Sequence, residues 1–410
     1  MMANPLDTSR SVNSFSCAPV STLLIGVPGS RRTQLFQNAL SRAGRPAARV
    51  VSFLDLLREK TNITDLVSAE TVVRIDSPGK DFETERALLH AGTEAAIDEQ
   101  YAGITHEEVD RLEFDRGRIL YPRQWYLGLC KALQVVESQL PDCLLMNSFS
   151  ETLVMFDKPR CQAVLRNHGI PVATGLGEIE SFADLRRRMA EYGCTRVFIK
   201  LAHGSSASGV IAYQVHGAKH RATTTVEVKK HGGKLHLYNS RRIHVYEDVG
   251  EIGQLVDELC RHRVYVERWL PKAGIDGRTF DLRVVVIAGR ARHSVVRLGR
   301  HPMTNLNLLG GRGNLEEVLQ RIGNAGWVAI QRTCEQVMTT CFPRSLYAGI
   351  DLRISPDYQH HQVLEVNAFG DLLPDVLCDS RDTYETEIIA VLSGQATRYK
   401  TQNPCLTLVD

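Results

Sequence analysis

The chain has 410 residues, enough for two or three domains at about 150 residues each, so a small disulfide-stapled scaffold is excluded. With 49 Lys plus Arg against 47 Asp plus Glu the formal charge is +2, so no global excess points to nucleic acid or a membrane surface, and any basic site has to be local. At 43% hydrophobic and 23% charged residues it reads as globular rather than disordered.

The ten cysteines are scattered with no Cys-x-x-Cys pair, which predicts reduced, mostly buried thiols rather than a zinc ribbon or a redox dithiol. The first sixteen residues hold no apolar signal core, and no run of eighteen apolar residues occurs. The expected setting is a reducing cytoplasm, with no membrane partner.

After a polar leader, Thr22 to Val27 reads as a buried strand, Pro28-Gly29-Ser30 breaks it, and Arg31 to Gly44 follows with helical spacing. A strand at 48–52 and a helix at 53–60 complete a βαβα opening, the pattern of a parallel sheet with helices on its faces. Helices are expected at 82–100 and 122–138, and a short strand at 143–146. From Asp157 the style changes. Helices over 159–167 and 181–192 precede strand 197–199, which ends on Lys200 before a turn of small residues, His203 to Gly209. Residues 213–246 alternate Val, Thr, Tyr, His and basic side chains about Gly232-Gly233 and read as an antiparallel hairpin. A helix at 250–262 leads to strand 264–266. The last third holds strands at 281–287 and 291–298, a Gly/Asn-rich loop at 304–314, a helix at 315–339, and strands near 346–353 and 362–366.

Two sets of residues carry chemistry. Glu365 and Asn367, two apart, share one side of a strand, and a neighbouring strand would bring Asp351 to the same point. Three hard oxygen donors of this kind suit Mg²⁺, although Glu-x-Asn alone is equally the mark of a solvated strand end. Lys200 stands where an ammonium and the backbone N–H groups of a Gly/Ser turn can both reach phosphate, unless it is simply a strand-end lysine extending to water. The turn is not a Walker A loop, and Gly26 to Gly29 does not complete a dinucleotide fingerprint.

The series Asp157-Lys158, Gly169-Ile170-Pro171-Val172, Phe198-Ile199-Lys200 with Gly204 to Gly209, Val264-Tyr265-Val266-Glu267, Asp281-x-Arg283, Arg297, Asn307, Asp351 and Glu365-x-Asn367 resembles the ATP-grasp superfamily, in the order that family has. The stretch from Asp281 through Arg297 to Gly313 is most similar to prokaryotic glutathione synthetases and ribosomal-protein glutamate ligases. The resemblance implies an α/β fold with three parts: a Rossmann-like domain over 1–150, a lid domain over 151–265 and a catalytic domain over 266–410. It further implies that Lys158 and Lys200 hold ATP phosphates and that Gly204, Ser205, Ser206 and Gly209 close over them. Glu267, Arg268, Trp269 and Leu270 would form the hinge that reads adenine, Lys272 a ribose contact, with Asp281 and Asn307 completing the nucleotide set. Asp351, Glu365 and Asn367 would carry two Mg²⁺ ions. Arg297 and Arg283 would stabilise charge during transfer to a carboxylate.

The implied reaction forms an acyl phosphate that an amine then attacks, giving an amide, ADP and phosphate. The alternatives are a phosphotransferase or other carboxylate-activating enzyme, and a nucleotide-binding module without chemistry. The basic, His-rich segment 213–246 is read as a solvated hairpin, with help in binding an acidic substrate as the alternative. In the N-terminal part the candidate substrate residues are Arg31 and Arg32 at a helix start, Arg74 with Ser77 and Gly79, and Arg123 within the run from Arg116 to Tyr126. For each, surface or interdomain pairing is the competing reading. The expected partners are small-molecule or peptide carboxylates and amines; nucleic acid is disfavoured and homo-oligomers are left open.

Overall fold

The computed structural model describes residues 21–205, 207–231, 234–304 and 310–401. Three sheets organise them. The first has strand order 397–399, 143–145, 72–75, 22–26, 49–52, parallel except for the outermost 397–399. Its strands are nearly continuous apolar runs, as burial on both faces requires. Helix Arg31–Arg42 starts where Ser30 accepts a hydrogen bond from the Thr33 N–H at 3.2 Å, an N-cap that satisfies one orphan donor of the first turn. The expected helix over 82–100 is two pieces, Phe82–Ala91 and Thr93–Ile97. They part at Gly92, where the backbone of helix Pro122–Ser138 leaves no room for a Cβ.

The second sheet is antiparallel with order 175–179, 264–268, 196–201, 211–216, 219–231, 234–246. Helices Phe182–Glu191 and Val249–Cys260 cover one face through Leu185, Met189, Leu255 and Leu259. The basic segment contributes three strands, not the single hairpin expected, because Gly217 adds a turn with φ +59. Strand Gly175–Ile179 was not expected at all, since Gly-Leu-Gly-Glu-Ile carries a loop's composition.

The third sheet has order 311–313, 290–299, 278–287, 347–354, 361–367. Alternation sends Leu282, Val284, Val286, Val296, Ile350 and Val366 into the largest core cluster, beneath helix Leu315–Gln336. That helix is interrupted at Gly323, whose φ of 75 no helix accommodates, and ends in a π-turn over Val337–Cys341 rather than running evenly to 339. The chain then returns: helix Thr383–Leu392 packs on Arg31–Arg42, and strand 397–399 joins the first sheet.

Each sheet with the helices packed on it is one unit of the fold, and a short clasp links the first and second units. Ile119 N–H donates to Leu237 O at 2.8 Å, Asn239 N–H to Gly117 O at 2.6 Å, and Tyr238 Oη–H to Asp115 at 2.6 Å. None of the eight cysteines among the described residues is in a disulfide. No helix among them is long and apolar enough to cross a membrane.

Candidate active site

The polar face of the third sheet is a grid set by register. Arg283 lies opposite Asp351, and Asp351 opposite Glu365, on three adjacent strands. A bulge inserts Leu364 beside Glu365, and Gln162 accepts that irregularity by donating to Leu364 O at 3.0 Å. Asp281 faces Arg297 one step along. The Arg283 guanidinium grips Asp351 in a fork, with Nη2 donating to Oδ2 at 2.8 Å. Arg297 spans both carboxylates, donating from Nε to Asp281 at 2.6 Å and from Nη2 to Asp351 at 3.0 Å. Burial alone would raise both carboxyl groups, yet these cations hold Asp281 and Asp351 below the ordinary range, so both are anions. Asn367 Nδ2 sits 3.5 Å from Asp351, and Asp351, Glu365 and Asn367 line the same cavity. Gly349 lets the chain beyond Asn367 pass close to this strand: a Cβ there would stand 2.6 Å from Gly370 O.

Facing this grid, the second sheet presents Lys200. Its ammonium is 2.7 Å from Glu267 and 3.7 Å from Glu365, joining the two sheets. Burial opposes its charge, but Glu267 and then Glu365 overcome this and hold it above the ordinary lysine range. Lys158, which opens helix Lys158–Asn167, donates to Gly204 O and so ties that helix to the small-residue turn. Gly209 is fixed by its φ of +66 and by Leu201, 2.4 Å from where a Cβ would be. Behind the turn, His203 is buried, stacks on Tyr126 at 4.0 Å, and lies 3.2 Å from Asp157, the N-cap of the same helix. Burial pushes its imidazole down to about 4, so it is neutral.

A cavity of about 750 Å³ runs between the three units. It is lined by Lys158, Lys200, Gly204, Ser205, Glu267, Arg283, Arg297, Asp351, Glu365 and Asn367, and on the far side by Arg31, Arg32, Ser77 and Gly79. Basic side chains outnumber acidic ones on its wall, eight to four. That balance suits an anionic ligand.

Other expected residues lie elsewhere. Arg268 and Trp269 do not line the cavity, and their N–H groups are already used, donating to Thr174 O at 2.8 Å and Arg196 O at 3.0 Å. Leu270 is likewise absent from the wall, as is Gly209. Lys272 and Asp281 stand one layer back: Lys272 donates to Thr304 at 2.9 Å and pairs with Asp281 at 3.3 Å, so the pair supports Arg297. Arg74 is fully buried among Asp76, Asp371 and Glu387, out of reach of any substrate. Arg123 is held by Glu99, 2.6 Å from Nε. Ser206 and Asn307 lie outside the described residues. Phe156 and Phe369 line the cavity with Trp125 and were not singled out; their flanking motifs, Asp157-Lys158 and Asn367, were the available signal.

No protein-family model and no curated protein matches the chain. Solved structures do. The crystal structure of D-cycloserine synthetase DcsG aligns over 90% of this chain and 99% of its own, with a TM-score of 0.51 at 13% identity. The chain adopts the ATP-grasp fold. Other ATP-grasp structures align below a TM-score of 0.5. The ligase PsnB, complexed with a phosphomimetic variant of its minimal precursor, Mg and ADP, gives 0.47 at 15% identity over 96% and 99% of the two chains. The macrocyclase MdnC from Microcystis aeruginosa, bound with precursor peptide MdnA, gives 0.48 at 11% over 91% and 99%.

Within the ATP-grasp fold the donor set fits Mg²⁺: two carboxylates and a carboxamide, all oxygen donors, on a wall of the cavity. No cluster of three His, Cys, Asp or Glu able to hold a metal occurs among the described residues, so an ion held here would need ligand oxygens as well.

Proposed function

We propose that the chain is an ATP-dependent, Mg²⁺-requiring ligase that activates a carboxylate as its acyl phosphate and joins it to an amine, releasing ADP and phosphate. The observation that carries this reading is the convergence of Lys158, Lys200, Arg283 and Arg297 with Asp351, Glu365 and Asn367 on one cavity. Phosphoryl transfer needs positioned charge more than covalent chemistry by the protein, and these side chains supply it. In this reading Lys158 and Lys200 bind phosphate oxygens. Arg297, already oriented by Asp281, meets the charge that develops on the transferred group, with Arg283 beside it. Asp351, Glu365 and Asn367 would hold two Mg²⁺ ions, which when bound neutralise and orient the phosphate oxygens. Glu267 orients Lys200, and the turn beginning at Gly204 closes the phosphate end from water.

No nucleophilic side chain is needed. Cys161 lines the cavity, but burial pushes its thiol up to about 12, which keeps it unreactive at neutral pH. Residues 1–150 would supply the second substrate's site, 151–265 the lid and 266–410 the catalytic sheet. The likeness to glutathione synthetases and ribosomal-protein glutamate ligases is confined to the motifs of that sheet, and the substrates are a small-molecule or peptide carboxylate and an amine.

The test is ADP release with ATP and Mg²⁺ over a panel of amino acids, dipeptides and small carboxylates, wild type against Glu365→Ala. Stimulation by one carboxylate, lost in the variant, with a new amide in the product by mass spectrometry, is the expected result. A phosphorylated product without an amide would make the chain a phosphotransferase.

A further inference from the structure

We propose that Trp125, Phe156 and Phe369 form the recognition pocket for one of the two substrates, and that this substrate is an aromatic or large aliphatic amino acid, free or at the end of a short peptide. The inference rests on the ligase reading and names its substrate class.

The three rings are contiguous. Trp125 and Phe156 stack at 5.7 Å with 28° between their planes, and Phe156 meets Phe369 at 5.7 Å and 66°. All three pack on the first unit's core on one side and are only partly buried, lining the cavity on the other. Three partly buried rings side by side give one end of the cavity an apolar wall, while its other end is densely charged. A ligand side chain would cover it.

Chain connectivity fixes this wall against the charged end. Phe156 immediately precedes Asp157-Lys158, and Phe369 follows Asn367 by two residues. The Phe369 carbonyl is held by Arg32 Nη2 at 2.8 Å. Trp125 belongs to helix Pro122–Ser138 of the first unit, whereas the nucleotide in the ligase reading lies between the second and third sheets. The rings therefore face the other substrate. Arg31, Lys80 and Arg118 line the same cavity and form no ion pair among the described residues. Glu85, also on that wall, accepts the Lys80 N–H at 3.1 Å. An apolar side chain on the rings with its own carboxylate toward these cations matches both features, and an amino acid has both.

The test compares ADP release and amide formation by the full chain for Phe, Tyr, Trp, Leu, Gly, Ala and Asp, singly, in pairs and as dipeptides. The variants are Trp125→Ala and Trp125→Phe. Aromatic and large aliphatic substrates should exceed Gly and Asp by at least tenfold in kcat/KM. Trp125→Ala should raise KM for them about tenfold with KM for ATP within twofold of wild type, and Trp125→Phe should restore most of the loss. A preference for Gly or Asp, or an unchanged ranking in Trp125→Ala, overturns the pocket and leaves the ligase reading standing. A rise in KM for ATP alone assigns the rings to the nucleobase and also overturns it. ADP release that no member of the panel raises overturns the ligase reading, and the pocket with it.

Discussion

Arg283 and Arg297 of the third sheet hold Asp351 at the cavity, with Asp281 and Lys272 one layer behind, whereas by the first sheet Arg32 and Arg74 serve Asp76, Asp371 and Glu387 in a chamber walled by rings. Arg74 lies 4.4 Å from the centre of Phe36 and 5.0 Å from those of Tyr347 and Tyr384. The two clusters use the same side chains in opposite proportion. The first has three cations for two carboxylates, and its surplus charge faces a cavity where an anion can take it up. The second has two cations for three carboxylates and meets the cavity only through Arg32: burial holds Glu387 well above the ordinary carboxyl range and raises Asp76, and among the described residues Asp76 Oδ2 and Glu387 Oε1 have no hydrogen-bond partner. Charge balance and access separate a reactive site from a structural one; composition does not.

The sharpest way to break this contrast is Arg74→Ala. Removing a buried cation that already serves too many carboxylates should cost about 3–5 kcal/mol of stability by urea denaturation. ADP release per folded molecule should stay within a few-fold of wild type. A stable variant that has lost activity would move Arg74 to the reactive cluster.

Arg297→Ala is the mirror case. Asp281 keeps Lys272 and Thr304, and Asp351 keeps Arg283, so the loss of stability should be smaller than for Arg74→Ala. The kcat should instead fall about 10²–10³-fold, the usual consequence of deleting one preorganised donor to developing charge. Equal destabilisation in the two variants would remove the argument from surplus charge.

The clusters should also differ in pH dependence. Arg283 and Arg297 hold Asp351 below its unfolded value, and Arg32 and Arg74 do the same for Asp371. Their stabilisation is present above the ordinary carboxylate range and is lost as pH falls, so acid weakens both clusters. Glu387 has the opposite sign: its folded value is raised, so its contribution is full below about 4.5 and is lost as pH rises through the folded value. Glu387→Gln should therefore flatten the alkaline limb of urea midpoints measured from pH 5 to 9, by up to about 1.4 kcal/mol per pH unit. An unchanged limb would mean that the chamber holds no proton on Glu387.

These contrasts also explain what was legible in the residues. Asp351, Glu365 and Asn367 could be grouped because period-two alternation and a neighbouring strand bring them to one face without knowledge of the rest of the fold, whereas Arg283 opposite Asp351 was named only through the resemblance. Arg74 obeys the same alternation, but its strand Val72–Ile75 is buried on both faces, and no local pattern tells a lone arginine which face is sealed. At the expected hinge, the Arg268 and Trp269 N–H groups are taken by Thr174 and Arg196, partners tens of residues away that no local pattern reveals. Strand 397–399 escaped for the same reason: its place beside 143–145 is a contact across some two hundred and fifty residues, with no trace in the local sequence.

Arg32 joins the buried chamber to the cavity and should give the smallest and most divided effect. Its Nη1 pairs with Asp371 and lies 3.2 Å from Tyr384 Oη, inside the buried chamber, while Nη2 reaches the Phe369 carbonyl and the side chain lines the cavity. Arg32→Lys keeps the charge for Asp371 but gives up the fork, since a single ammonium cannot hold a carboxylate and a carbonyl in two fixed directions. One hydrogen bond lost to a partly buried group is worth about 1 kcal/mol of stability. Phe369, no longer tethered, should let KM for the second substrate rise a few-fold while kcat and KM for ATP hold, which steady-state kinetics at saturating ATP will read. Were Arg32→Lys instead to lose stability on the scale of Arg74→Ala with no change in KM, Arg32 would be a member of the buried cluster only, and the carbonyl contact would have no part in shaping the cavity.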